Sequence, residues 1–86
     1  MQLDYSSNFN KRIKKIPVKV ADKFFERLEL FKKDEFNPLL NNHKLHGKYD
    51  GCNSINITGN WRAIFEYIKK DYILFSDIST HPELYK

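Results

Sequence analysis

The 86-residue sequence predicts one small α+β domain, with a short first strand, a helical hairpin and then a three-stranded antiparallel meander. Three observations carry that prediction. Up to about position 33 the apolar residues recur every three or four positions, and from position 54 onward they alternate. The stretch between them is rich in Asn, Pro and Gly. No repeat, low-complexity tract or linker divides the chain, so residues 1–86 are read as a single domain.

Gln2 to Tyr5 is long enough for the first strand. Phe9, Ile13 and Ile16 then form one helical stripe, with Ser6 or Ser7 available as the cap. Pro17 interrupts that stripe and suits the first turn of a second helix, predicted to run to about Lys33. On it Val20, Phe24, Leu28 and Phe31 face inward, while Lys19, Lys23, Glu26, Arg27 and Lys33 face water. The segment KDEFNPLLNNHKLHGKYDG reads mostly as loop. Ile55 and Ile57 next alternate with Ser54, Asn56 and Thr58. Gly59-Asn60 turns the chain, and Trp61, Ala63, Phe65 and Tyr67 alternate with Arg62, Ile64, Glu66 and Ile68. Lys69 to Asp71 turn it into the last strand, YILFSDIS. The helices should cover one sheet face and leave the other partly open.

The formal charge is +4, carried unevenly. Residues 1–48 hold eleven Lys/Arg against six Asp/Glu, a net of +5, and residues 49–86 hold four against five, a net of −1. A basic amino-terminal half suits a polyanionic partner, although lysines are also the ordinary wet face of helices. Cys52 is the single cysteine, so an internal disulfide and a cysteine zinc cage are excluded, and a reducing, cytoplasmic setting is expected. The opening MQLDYSSNF lacks the pattern of a signal peptide, and no apolar run approaches a membrane span.

The candidate chemistry lies on the open face. His43, His46 and His81 could in principle offer three nitrogens to a metal, but their loop setting, with no carboxylate in place, points to no metal and no other cofactor. Arg62 should point to the open face beside Ser54, Asn56 and Thr58, where its planar fork could clamp a phosphate. In DISTHPELYK, Pro82 should stiffen the backbone and push His81 out of the helical region. Thr80 and Glu83 can cap a single turn, and Leu84 can pin it to the core with Tyr85 beside His81. An imidazole near a phenol and an arginine has the parts for metal-free RNA cleavage. In that reaction a base deprotonates the ribose 2′-hydroxyl, which attacks the adjacent phosphorus while an acid protonates the leaving 5′-oxygen. Cationic donors stabilise the charge on the phosphoryl oxygens.

These residues bring a family into view. HKLHG, the strand WRAIF and the closing STHPELY resemble, in that order, the H-x-L-x-G element, the W/Y-R-x-I/V-Y strand and the G-T-H-x-x-L-Y end of RelE/ParE superfamily toxins, especially the RelE/StbE and YafQ-like branch. LDYSSNFNKRIKKI is similar to the family's first strand and helix. The resemblance implies a type II toxin: an endoribonuclease that cuts mRNA in the ribosomal A site and is silenced by a cognate antitoxin. By position, His43 matches the family's loop histidine, Arg62 its strand arginine, His81 its terminal histidine and Tyr85 its terminal aromatic. The implied roles are acid or base for His81, phosphate clamp for Arg62, base-stacking or proton relay for Tyr85, and second titrating group for His43. Lys19, Lys23, Lys33, Lys44, His46, Lys48, Asn56 and Asn60 are the expected RNA- and ribosome-contacting set. Asn56 and Asn60 stand where YafQ-like toxins usually carry histidine and aspartate, and Ser79 replaces the usual glycine. The alternatives are a ParE-like toxin that binds gyrase and an inactive homologue that only binds an antitoxin.

Overall fold

The computed structural model describes residues 1–84. Strand β1 (Gln2–Tyr5), helices α1 (Ser7–Ile13) and α2 (Val18–Lys33), and strands β3 (Asn53–Asn56), β4 (Trp61–Lys69) and β5 (Tyr72–Thr80) form where the periodicity places them. Ser6 caps α1, its hydroxyl accepting the Phe9 N–H at 3.0 Å. Helix α1 stops at Ile13, so Ile16 lies beyond it in a turn that closes on the Arg12 carbonyl, yet still packs against the core. Pro17 sits just before α2, where its carbonyl accepts the Val20 and Ala21 N–H groups and its missing donor costs nothing.

The sheet has five strands in the order β1-β5-β4-β3-β2, with β1 parallel to β5 and the other pairs antiparallel. The fifth strand adds an element within the segment after α2 expected to be mostly loop. His43–Lys44 form β2 on the edge of β3, and Gly47–Tyr49 form one 3-10 turn. Polar side chains hold this segment down. Asn42 donates to the Glu35 carbonyl and to the Tyr67 hydroxyl, Asn53 donates to Asn42, and the Tyr67 hydroxyl donates to the Glu35 carboxylate. Burial, and then the Glu35 carboxylate, push the Tyr67 phenol up to about 12, so it remains a donor throughout the physiological range.

Helices α1 and α2 cover one sheet face. Phe9, Phe24 and Phe31 meet Ile55, Ala63, Phe65 and Phe75 there. A bulge shapes β5: Ile64 pairs with Asp77 and Phe65 with Phe75, which leaves Ser76 as the extra residue. The bulge lets Phe75 and Ile78, three apart, both reach the same core. The displaced Ser76 carbonyl accepts from the Ser6 hydroxyl and the Asn8 amide, both at 3.0 Å.

The opposite face is only partly open. Leu45, Ile64 and Leu84 form a second small core there, with Tyr49 and the free thiol of Cys52 packed against it. Leu84 comes from a one-turn helix, α3 (His81–Leu84). His81 is thus the first residue of a helix, where the sequence suggested an extended residue ahead of one. Thr80 takes the cap position instead, its N–H and hydroxyl both donating to Glu83.

Candidate active site

The register of the sheet assembles the site. Residues opposite one another share a face, and so do residues two apart on a strand. His43 lies across from Ser54, and Asn56, two residues on, lies across from Arg62. Ile64 is opposite Ser54 and belongs to the second core, which fixes all four of these residues on the face away from α1 and α2. Ser79 follows Arg62 in the same row on β5.

Arg62 is held by a single nitrogen. Its Nη1 donates to the carbonyls of Thr58 (3.0 Å), Trp61 (3.1 Å) and Gly59 (3.4 Å), which ties the guanidinium to the β3–β4 turn. The turn is itself set by Thr58, whose hydroxyl accepts the N–H groups of Asn60 and Trp61. Among the described residues no acceptor engages Nε or Nη2, and that edge is the one carrying two parallel donors suited to a phosphate.

His43 is oriented by Asn41. Asn41 adopts a left-handed backbone (φ 48°), which Asn tolerates better than most residues, and its carbonyl lies 2.8 Å from His43 Nδ1. A carbonyl only accepts, so Nδ1 carries the proton and Nε2 is the basic nitrogen of the neutral ring. Between His43 and Arg62, the Ser54 hydroxyl and the Asn56 carbonyl oxygen are buried with no hydrogen-bond partner among the described residues.

The terminal turn joins this end of the sheet through its backbone. The His81 N–H donates to the Asn60 carbonyl at 2.7 Å, and Thr80 pairs with Trp61. The His81 side chain is exposed. Tyr85 lies outside the described residues. The residue that ties the turn down escaped the sequence reading. From α1, Arg12 donates to the Ile78 carbonyl through Nε and Nη2, reaches Ser79 at 3.2 Å, and pairs with Asp77 at 3.5 Å and Glu83 at 3.4 Å. The Thr80–Glu83 spacing was a local signal; an arginine seventy residues upstream gave none.

Thr80, and then Arg12, hold the Glu83 carboxyl below the usual carboxylate range. A folded value depressed below the unfolded one makes this contribution present above about pH 4.3 and lost as pH falls through the folded value. In an NMR titration the Thr80 amide should therefore move with a midpoint below the ordinary glutamate value, and the Glu83→Gln variant should show no such step. A midpoint at or above the ordinary glutamate value would mean that nothing holds the carboxyl.

The predicted RNA-contacting residues fall into separate places. Lys19, Lys23 and Asn56 line a cleft of about 390 Å³ between α2 and the β3–β4 turn. Lys44 and His46 line another of about 400 Å³ beside Cys52 and Tyr67. Lys48 lies over the Tyr49 ring, and Lys33 is exposed in the last turn of α2. Asn60 serves through its carbonyl. Arg27, expected to face water, is partly buried in the first cleft. Among the described residues no three His, Cys, Asp or Glu side chains converge on a metal-sized site, and no helix is long and apolar enough to cross a membrane.

Two helices covering one face of a five-stranded sheet match the fold of solved YafQ and YoeB/ParE toxins. YafQ from E. coli strain BL21(DE3) superposes with a TM-score of 0.79 at 17% identity, covering 99% of this chain and 98% of that one. A YoeB/ParE toxin from Agrobacterium tumefaciens gives 0.74 at 16%, over 94% and 99%. The E. coli DinJ-YafQ complex gives 0.71 at 18%, over 99% and 98%. At such identities the likeness is one of fold. No curated protein matches the chain by sequence. The family itself is set by its profile, described as the bacterial toxin of a type II toxin-antitoxin system, YafQ, which matches residues 1–86. This chain belongs to the YafQ toxin family.

Proposed function

We propose that this toxin is a ribosome-dependent mRNA endoribonuclease, held inactive by a cognate antitoxin. The observation that carries the reading is the sheet register that sets His43, Asn56 and Arg62 on one face, with the His81 backbone bonded to the turn that anchors Arg62. His43 and His81 supply the base and the acid for 2′-hydroxyl attack and 5′-oxygen departure, giving a 2′,3′-cyclic phosphate and a free 5′-hydroxyl. The Nε–Nη2 edge of Arg62 meets the phosphoryl oxygens as charge develops. Asn56, half-buried across from Arg62, offers its side-chain amide to the ribose or the base. Tyr85 stacks on a base or relays a proton. So small a face positions RNA poorly by itself, which is why the ribosome is needed. An antitoxin partner is supported by the solved complex of the relative YafQ with DinJ.

Mapping of mRNA ends after induction tests the reading. New ends at codon boundaries are expected; gyrase-linked DNA breaks with intact mRNA would reject it. Arg62 gives the sharper test. Arg62→Ala should lower the single-turnover rate on saturated ribosomes about 10²-fold or more, a loss of roughly 3 kcal/mol of transition-state stabilisation. Arg62→Lys should fail to restore that rate, because a point charge lacks the planar fork. Charge removal at Lys19 or Lys23 should instead weaken ribosome binding in a salt-dependent way and spare the saturated rate. A lysine at position 62 that cuts at the wild-type rate would exclude the clamp.

A further inference from the structure

The chain has three arginines, and two of them are anchored. Arg12 and Arg62 donate to backbone carbonyls, whereas Arg27 Nε is buried with no hydrogen-bond partner among the described residues. A buried donor left unpaired is destabilising, which invites the question of what satisfies it. Arg27 lies at i+8 from Lys19 and i+4 from Lys23, so the three cations form one stripe along α2. That stripe is one wall of the 390 Å³ cleft. The other wall includes Thr58 and Gly59, whose carbonyls hold Arg62. Among the described residues, Lys23 alone of the three is ion-paired, with the exposed Glu26 at 3.2 Å.

We infer that this cleft seats a backbone phosphate of an RNA strand, with Arg27 as the anchor and Lys19 and Lys23 as flanking charges. The inference rests on the nuclease reading and adds a second phosphate position to it, beyond the scissile one. Arg27 gives up no hydrogen bond at Nε when its fork turns to an anion, and a guanidinium matches phosphate with paired donors. Because one wall of the cleft is the turn that holds Arg62, a strand whose scissile phosphate lies at Arg62 passes beside the cleft with a neighbouring phosphate. Contacts of this kind fix register and carry no sequence information.

The probe is a 2′-O-methyl hexanucleotide, which lacks the attacking hydroxyl, titrated at low salt into the ¹⁵N-labelled protein while the Arg27 Nε–H signal is followed. A saturable shift of that signal is expected. Arg27→Lys should bind about tenfold more weakly, and Arg27→Ala should lower the salt slope of binding by about 1. An unmoved Nε–H signal in the native protein, or equal affinity in Arg27→Lys, overturns the inference, and the native-protein measurement stands even where a variant folds poorly. Tighter binding of hexaglutamate than of the oligonucleotide also overturns it, by assigning the cleft to an acidic protein segment. So does inorganic phosphate alone binding as tightly as the oligonucleotide. Ribosomal cleavage is scored separately: oligonucleotide binding without cleavage supports the seat and rejects the nuclease, and cleavage without binding rejects the seat alone.

Discussion

Replacing His81 by alanine is expected to lower mRNA cleavage on saturated ribosomes by about 10²- to 10⁴-fold, the usual loss when a general acid or base is removed. Stability should hardly change. The side chain is exposed, the bond from the residue 81 N–H to the Asn60 carbonyl survives in alanine, and α3 keeps its cap and its Leu84 anchor. Single-turnover rates and thermal melts on the same samples separate chemistry from folding. A variant that melts normally and cuts normally would return His81 to an ordinary surface residue. One that unfolds would show the imidazole to be structural.

The second large effect concerns the core. Phe75→Ala should cost about 3–5 kcal/mol, the range for deleting a fully buried phenylalanine. Phe75 is fully buried, and the rings of Tyr5, Phe9, Phe24, Phe31 and Phe65 all lie within 6.0 Å of it. It thus joins β1, α1, α2 and β4 at one point. A domain of this size holds only about 4–13 kcal/mol in total, so the variant should be marginal at best. Urea unfolding should show a lower midpoint with an unchanged slope. A loss below 1 kcal/mol would mean that the neighbouring rings collapse into the space. Phe75→Leu, which keeps most of the volume, should be much milder.

Much of this was legible in the sequence. Alternation at Ile55, Ala63 and Phe65 fixed which residues face the helices, and therefore that Arg62 faces away from them. The pairing of Thr80 with Glu83 and the burial of Leu84 followed from spacing and hydropathy. What stayed hidden depends on partners remote in sequence. A period of two tells which face a residue takes but not which strands are neighbours, so the parallel pairing of β1 with β5 had no local signal. Two residues are too few to show a period, so β2 was invisible, and with it the placement of His43 across from Ser54. Arg27 read as a wet-face cation because helical periodicity cannot see the residues, Leu39 and the β3–β4 turn, that line the cleft with it. His81 entered a helix because the Asn60 carbonyl accepts its N–H and the Thr80–Glu83 cap closes the turn, which outweighs the bias imposed by Pro82.

The position of β5 governs when this toxin can come into being. Strands β1 and β4 both build on β5, and Arg12 from the first helix spends its hydrogen bonds on residues 77–83. Within the fold these are the residues that a ribosome delivers after all the others. A nascent chain that has released β1, α1 and α2 still lacks the strand they pack on, so the amino-terminal half waits as an unsatisfied amphipathic segment. Docking of this half on β5 depends on contacts of long sequence separation and so comes late. The face proposed to act on translating ribosomes is therefore assembled only after β5 has left the one that makes it.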